Sequence, residues 1–226
     1  MSFDVSKLPS YIDHTLLKAD ASEEMIRQLC AEAKEHGFYS VCVNGTWVPL
    51  CRELLAGSGV KISVVCGFPL GAMDSSAKAW EAAKAAEQGA NEIDMVLQIG
   101  RLKQGDYQAV RDDIQAVVKA VEGKAIVKVI FETGSLNEEQ KLAACKLSVE
   151  AGAHYVKTST GFGQGGATAE DIALMRRAVP ESVGVKASGG IRDLETAVKM
   201  IEAGATRLGT SSGVALMRGS SGSSAY

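Results

Sequence analysis

Eight short β-rich runs, spread evenly along one chain, limit what this sequence can fold into more than any other feature. They are YIDHTL (11–16), YSVCVN (39–44), ISVVCG (62–67), NEIDMVL (91–97), AIVKVIFE (125–132), HYVKTS (154–159), VGVKAS (183–188) and TRLGTS (206–211). Amphipathic stretches lie between them. Residues 22–36 place Met25, Ile26, Leu29 and Ala33 on one stripe, and residues 107–121 do the same with Val110, Ile114, Val117, Val118 and Val121. Those spacings are the three-and-four step of a helix packed on one side. Gly37, Gly89, Gly152 and Gly204 each stand just past a helical pattern, where a left-handed cap ends a helix before the next strand. Strand–helix alternation predicts parallel strands joined by right-handed crossovers. Eight such units in 226 residues predict an α/β protein with a single closed (β/α)8 TIM barrel. The competing architecture is an open doubly wound sheet, which usually carries a glycine fingerprint after its first strand. Here that position reads LLKADAS. The barrel is expected over residues 1–218, and GSSGSSAY (219–226) reads as a flexible Gly/Ser-rich C-terminal tail.

A chain that is 46% hydrophobic and 23% charged with a net charge of −3 is ordinary for a globular protein. It has no global basic field to attract nucleic acid or a membrane surface. Five scattered cysteines, Cys30, Cys42, Cys51, Cys66 and Cys145, form no C-x-x-C pair, so reduced thiols in a cytoplasmic protein are expected. The first ten residues, MSFDVSKLPS, lack the apolar core of a signal peptide. No apolar run approaches the ~20 residues of a membrane span.

Lysine interrupts three successive strand runs: IVKVI, YVKTS and GVKAS hold Lys128, Lys157 and Lys186, each 29 residues from the next. Equal spacing predicts the same point of three neighbouring βα units, with strands ~4.8 Å apart. A single strand lysine can snorkel or pair for stability. Three together raise the electrostatic cost of burial. They also have a use, because a cation beside a lysine lowers its pKa and frees neutral amine to attack a carbonyl. One of the three is therefore expected to be a Schiff-base nucleophile and another its tuner. Two acids interrupt other strands: Asp94 in EIDMV and Asp13 in YIDHT. Alternation places Glu92, Asp94 and Val96 inside the barrel, with Ile93, Met95 and Leu97 facing helices. Tyr11, Asp13 and Thr15 share a face by the same count. Asp94 is expected to handle protons, whereas Asp13 reads equally as a turn or capping residue.

KASGGIRD (186–193) and GTSSGVA (209–215) follow the last two strand runs, where barrel enzymes often hold phosphate. Glycine lets backbone N–H groups approach an oxyanion, and hydroxyls can add donors. A third glycine-rich loop, STGFGQGGAT (159–168), follows the sixth run. The three histidines, His14, His36 and His154, lack metal-ligand spacing, so no metal is expected. His154 reads as a satisfied structural residue and Cys42 as a small buried hydrophobe. Phe68 and Pro69 read as a rigid loop at the mouth.

IDHTLLK, SVCVN, GFPLGA, EIDMV, VKTSTGFGQGGAT, VKASGGIR and RLGTSSG together resemble the deoxyribose-phosphate aldolase family, from about residue 8 to residue 218. The resemblance implies a metal-free, cofactor-free class I aldolase, an aldehyde-lyase of deoxyribonucleotide catabolism. Such an enzyme reversibly cleaves 2-deoxy-D-ribose 5-phosphate to D-glyceraldehyde 3-phosphate and acetaldehyde. By motif position it assigns the Schiff base to Lys157, the tuning lysine to Lys186 and proton handling to Asp94. It assigns the phosphate grip to Gly189, Gly190, Ser211 and Ser212, with Gly161 nearby. Asp13, Thr15, Cys42, Lys128 and Thr160 are then supporting residues. Gly45 and Gln98 stand where proline and asparagine are common. Partners are expected to be small sugar phosphates and aldehydes, and a homo-oligomer, dimer or tetramer, is expected. Eight extended residues reach up to roughly 27 Å, enough to return the terminal Tyr226 to the mouth as a proton-shuttling phenol.

Overall fold

The computed structural model describes residues 3–222. Among them the strands are β1 (Ile12–Leu16), β2 (Ser40–Val43), β3 (Lys61–Cys66), β4 (Glu92–Val96), β5 (Ile126–Ile130), β6 (Tyr155–Lys157), β7 (Gly184–Ser188) and β8 (Arg207–Thr210). The helices are α1 (Glu23–His36), α2 (Val48–Leu54), α3 (Ser75–Gln88), α4 (Ile99–Lys103), α5 (Tyr107–Ala120), α6 (Glu138–Glu150), α7 (Ala169–Ala178), α8 (Leu194–Glu202) and α9 (Gly213–Met217). The strands close in sequence order into a parallel barrel, β8 pairing back onto β1 through Asp13↔Gly209. This is the (β/α)8 architecture that the alternation predicts.

Local chemistry starts and stops the helices where the pattern expects. Side chains of Ser22, Asp74, Asp106, Thr168 and Asp193 accept backbone N–H groups in the first turns of α1, α3, α5, α7 and α8. Asn137 and Gln140 form a reciprocal capping box on α6. Each such cap satisfies a donor that the helix itself cannot. Gly37 and Gly89 end α1 and α3 in the left-handed region, at φ 67° and 117°. Helical stripes then pack on the outside of the barrel. Ile26, Leu29, Val110, Ile114, Val117, Ile172 and Met200 meet the outward strand residues Val41, Val64, Ile93, Met95, Val129, Val156, Val185 and Leu208. Met25 departs from the expected stripe. It is 36% exposed, and Cys30 fills the buried position instead.

The hydrophobic core is therefore the annulus between sheet and helices. The barrel axis is polar and charged, with Asp13, Ser40, Ser63, Glu92, Asp94, Lys128, Lys157, Lys186 and Arg207 all buried. Barrel interiors are more often filled by branched apolar layers. Small residues make room for long cationic ones: a Cβ on Gly209 would stand 3.0 Å from Cε of Lys186. After α9 the chain turns back, and the Gly222 N–H donates to the Arg192 carbonyl at 2.8 Å. Residues 219–222 thus run over the loop that follows β7, while Tyr226 lies outside the described residues. No helix among the described residues is long and apolar enough to cross a membrane.

Candidate active site

Strand register decides which charged residues meet. Lys157 and Lys186 are direct partners across β6 and β7, but Lys128 pairs with Tyr155, two residues below Lys157. The three lysines therefore do not share one level, as equal sequence spacing suggests. Connection lengths and strand stagger differ from unit to unit, so Lys128 sits one layer deeper. Lys157 is the last residue of β6, at the C-terminal mouth where barrel sites are built.

Asp94 joins all three lysines. Its Oδ1 lies 2.6 Å from Lys128 Nζ, and its Oδ2 lies 2.8 Å from both Lys157 Nζ and Lys186 Nζ. The Ser63 hydroxyl also donates to Oδ1, at 3.0 Å. Burial disfavours the Asp94 carboxylate, yet Lys128, Lys157 and Lys186 together hold its pKa well below the usual carboxylate value. Asp13 is no turn or cap residue. It sits inside the barrel, where Oδ2 meets Lys186 Nζ at 2.5 Å and Oδ1 accepts from Ser40 and from Arg207 Nη1, at 2.7 and 2.9 Å. Burial again opposes ionisation, and Lys186, Lys128 and Arg207 overcome it, so its pKa is lowered. Tyr11 does not share its face. It ends a 3-10 turn before β1 and sets its ring edge-on to Phe3 at 5.4 Å.

The lysines divide by their partners. Lys186 touches both Asp13 and Asp94, and its pKa is raised because those carboxylates outweigh burial. Lys128 pairs with Asp94 and Glu92, both at 2.6 Å, and its pKa is also raised against burial. Lys157 goes the other way. Burial comes first, and the like charge of Lys186 adds to it. Together they outweigh Asp94, so the pKa falls below that of an ordinary lysine. Among the described residues its ion pairs comprise Asp94 alone. This cluster therefore holds two lysines whose pKa is raised and one whose pKa is lowered.

Around Lys157 the mouth is lined on one side by Leu17, Cys42, Val65 and Phe68. Burial raises the Cys42 thiol pKa, so Cys42 stays a neutral, apolar wall, as expected for a buried thiol. Phe68 meets Phe162 edge-on at 5.3 Å across the opening. Thr15 turns its hydroxyl onto the Asp13 carbonyl at 2.8 Å. Thr160 donates to the Glu132 carboxylate and accepts the Phe162 N–H at 3.0 Å, holding the turn at Gly161. Glu132 itself adopts φ 58°, unusual for a non-glycine residue.

The loops expected to take phosphate lie together. Gly189 and Gly190 have φ of 85° and 82°, conformations that favour glycine. The Ala167 N–H donates to the Gly189 carbonyl at 2.9 Å, tying the β6 loop to the β7 loop. Ser212 is buried beside them, its N–H donating to Thr210 Oγ1 at 2.9 Å. Gly222 packs directly over the Ser212 hydroxyl. Ser211 lines a cavity of about 430 Å³ with His14, Thr15 and Lys18 at the start of the barrel's first loop. His154 accepts the Val127 N–H at 3.1 Å, the structural role its position suggests. Gln98 donates to Ser75 Oγ and Asp113 Oδ1, at 3.3 and 3.2 Å, tying the end of β4 to α3 and α5.

Glu92, Ser40, Ser63 and Arg207 join the cluster without standing out as site residues in the sequence. Arg207 carried a readable signal. It is a cation within the strand run TRLGTS, as the lysines are within the runs before it.

The family model for DeoC/LacD family aldolases matches residues 8–220. A curated deoxyribose-phosphate aldolase from Brevibacillus brevis is 63% identical over 209 residues, 92% of this chain and 94% of that one. Another, from Geobacillus sp. strain WCH70, is 56% identical over 221 residues, covering 98% and 99%. Among solved structures, the deoxyribose phosphate aldolase from Aeropyrum pernix, described as a unique tetramer, superposes with a TM-score of 0.88 at 36% identity, covering 95% of this chain and 91% of that one. Likeness on this scale, over the whole barrel and every strand that supplies the buried charges, makes the chain a member of the DeoC/LacD family of aldolases.

Proposed function

We propose that this aldolase reversibly cleaves 2-deoxy-D-ribose 5-phosphate to D-glyceraldehyde 3-phosphate and acetaldehyde through a Schiff base on Lys157. The observation that carries the reading is the inequality among the three lysines. Lys157, at the mouth, is the one whose pKa falls, while Lys128 and Lys186 are held as cations. A nucleophilic amine must be neutral to attack, and desolvation beside another cation shifts Lys157 toward that state.

The neutral amine of Lys157 adds to the aldehyde carbon of the open-chain sugar, and loss of water leaves an iminium. The C3 hydroxyl gives up its proton, the C2–C3 bond breaks and glyceraldehyde 3-phosphate departs. The electron pair of that bond enters the iminium to form an enamine. Protonation of the enamine carbon and hydrolysis release acetaldehyde and regenerate Lys157. Asp94 touches Lys157 and Lys186 through one oxygen, and it is the proposed proton handler, acting through water. Lys128 and Asp13 hold Asp94 and Lys186 ionised. The apolar wall of Leu17, Cys42, Val65 and Phe68 suits the methyl end of acetaldehyde. A phosphate bound remote from the reacting carbons would orient the chain, and Gly189, Gly190, Ser211 and Ser212 are its proposed holders. The proposed assembly is a homo-oligomer in the cytoplasm, and Tyr226 keeps its proposed proton-shuttling role on tail length alone.

The direct test is acetaldehyde release from 2-deoxyribose 5-phosphate compared with cleavage of ketose phosphates. The expected preference is at least about 10²-fold for the deoxy sugar, since a site built around one substrate's polar groups discriminates strongly. Faster cleavage of a ketose phosphate would reassign the substrate, and saturable binding without turnover would leave a binding protein. For the phosphate end, Ser212→Asp is expected to raise KM for the phosphorylated sugar by about 10²-fold, because the new carboxylate faces the dianion at short range. KM for unphosphorylated deoxyribose should change much less. Equal losses would place the phosphate elsewhere.

A further inference from the structure

The charges along the barrel axis do not balance. Within the set joined by contacts, Asp13, Glu92 and Asp94 face Lys128, Lys157, Lys186 and Arg207, all buried, which leaves one positive charge in excess in that set when every group is ionised; the buried Glu132 lies outside it, on Thr160. Arginine cannot surrender its proton, and Lys128 and Lys186 are each held by two carboxylates within 3 Å. The excess is relieved most easily at Lys157.

The source of that excess lies at the other end of the barrel. Arg207 and Glu92 are the first residues of β8 and β4, so they form its N-terminal floor. Arg207 Nη1 lies 3.0 Å from Glu92 Oε2 and 2.9 Å from Asp13 Oδ1, with its guanidinium 3.4 Å over the Tyr39 ring. From there an unbroken series of opposite charges runs upward. Arg207 meets Asp13 Oδ1, Asp13 Oδ2 meets Lys186, Lys186 meets Asp94 Oδ2 at 2.8 Å, and the same oxygen meets Lys157 at 2.8 Å. We propose that Arg207 and Glu92 are positioning residues that set the protonation of Lys157 from the floor of the barrel, Arg207 disfavouring its proton and Glu92 favouring it. The groups facing Lys157 are Asp94 on β4, Lys186 on β7 and the neutral Cys42 on β2, with Lys128 on β5 one layer below on the far oxygen of Asp94. Glu92 meets Lys128 Nζ at 2.6 Å and Arg207 meets Asp13 at 2.9 Å, so the floor reaches Lys157 through these contacts and the field they share.

This rests on Lys157 being the nucleophile, but its test need not. The pH dependence of Lys157 labelling by trace acetic anhydride, read by peptide mass spectrometry, reports its protonation whatever its catalytic role. The alkaline rise of kcat/KM gives the second readout. A unit charge ~10 Å away at an effective dielectric constant of ~20 moves a titration by about one pH unit. Arg207→Met should therefore shift both profiles up by about one pH unit, and Glu92→Gln should shift them down by a similar amount. Arg207→Lys should stay near wild type. The double variant Arg207→Met with Glu92→Gln removes a contacting ion pair and leaves the excess unchanged, so its labelling profile should return to that of the wild type. A structural role alone predicts lower Tm without this order of signs. Should Arg207→Met fail to fold, Glu92→Gln and the double variant still decide the matter. Unshifted labelling in Glu92→Gln, or a double variant that stays shifted, overturns the inference. Ordered labelling shifts with trapping at another lysine would overturn only the assignment of the nucleophile.

Discussion

Borohydride added during turnover of 2-deoxyribose 5-phosphate is expected to leave the reduced adduct on Lys157, and Lys157→Leu to lower kcat by about four orders of magnitude or more. The size follows from what the side chain supplies. Without the iminium there is no electron sink for the breaking carbon–carbon bond, and no other lysine of the cluster can substitute. Lys128 and Lys186 are both held as cations by paired carboxylates, and Lys128 lies two residues deeper along the strand register. The fold should tolerate the change, since Asp94 keeps Lys128, Lys186 and Ser63 as partners. Intact mass with peptide mapping gives the site of reduction. An adduct on Lys128 or Lys186, or a Lys157→Leu enzyme that still turns over at a tenth of the wild-type rate, would remove Lys157 from the chemistry.

Lys186→Leu is the second large effect, and its sign can be worked out. Lys157 and Lys186 both lie 2.8 Å from one oxygen of Asp94, so their nitrogens are close and repel. Burial lowers the Lys157 pKa first, and Lys186 lowers it further. Removing Lys186 takes away that second cause, so Lys157 binds its proton more tightly and its neutral fraction at pH 7 falls. The expected loss there is at least about tenfold, even at a high effective dielectric. Activity reappears as pH rises, because the lost fraction is recovered once pH exceeds the new, higher pKa. Neither Asp13 nor Asp94 is left unpaired: Arg207 and Ser40 remain on the first, Lys128 and Lys157 on the second. That spares the variant the ~3–5 kcal/mol cost of breaking a buried pair. A kcat/KM profile against pH, with Tm as control, checks this. A wild-type profile would make Lys186 purely structural.

Much of the site could be read before any coordinates. A lysine in the middle of an apolar, β-branched run violates the strand's own pattern, and such violations mark function because burial of charge is costly. Lys128, Lys157, Lys186 and Asp94 were legible for that reason. Asp13 was ambiguous, since an acid near the start of a strand equally suits a turn. Only closure of the barrel, which carries β8 back to β1, brings Arg207 and Ser40 onto its two sides. Glu92 was legible as inward but not as a partner of Arg207, because 115 residues of chain separate them.

Sequence alone determined the alternation, hence the closed parallel barrel, and it determined which residue types would interrupt the strands. Periodicity and caps are local, and local physics reads them from neighbouring residues. Tertiary structure decided the levels. Register sets Lys157 beside Lys186 and Lys128 one layer below. That geometry, through burial and the sharing of Asp94, gives one lysine a lowered pKa and two a raised one. Three lysines equally spaced in the chain became chemically unequal because electrostatic energy depends on distance and desolvation in space, and neither is a function of sequence separation.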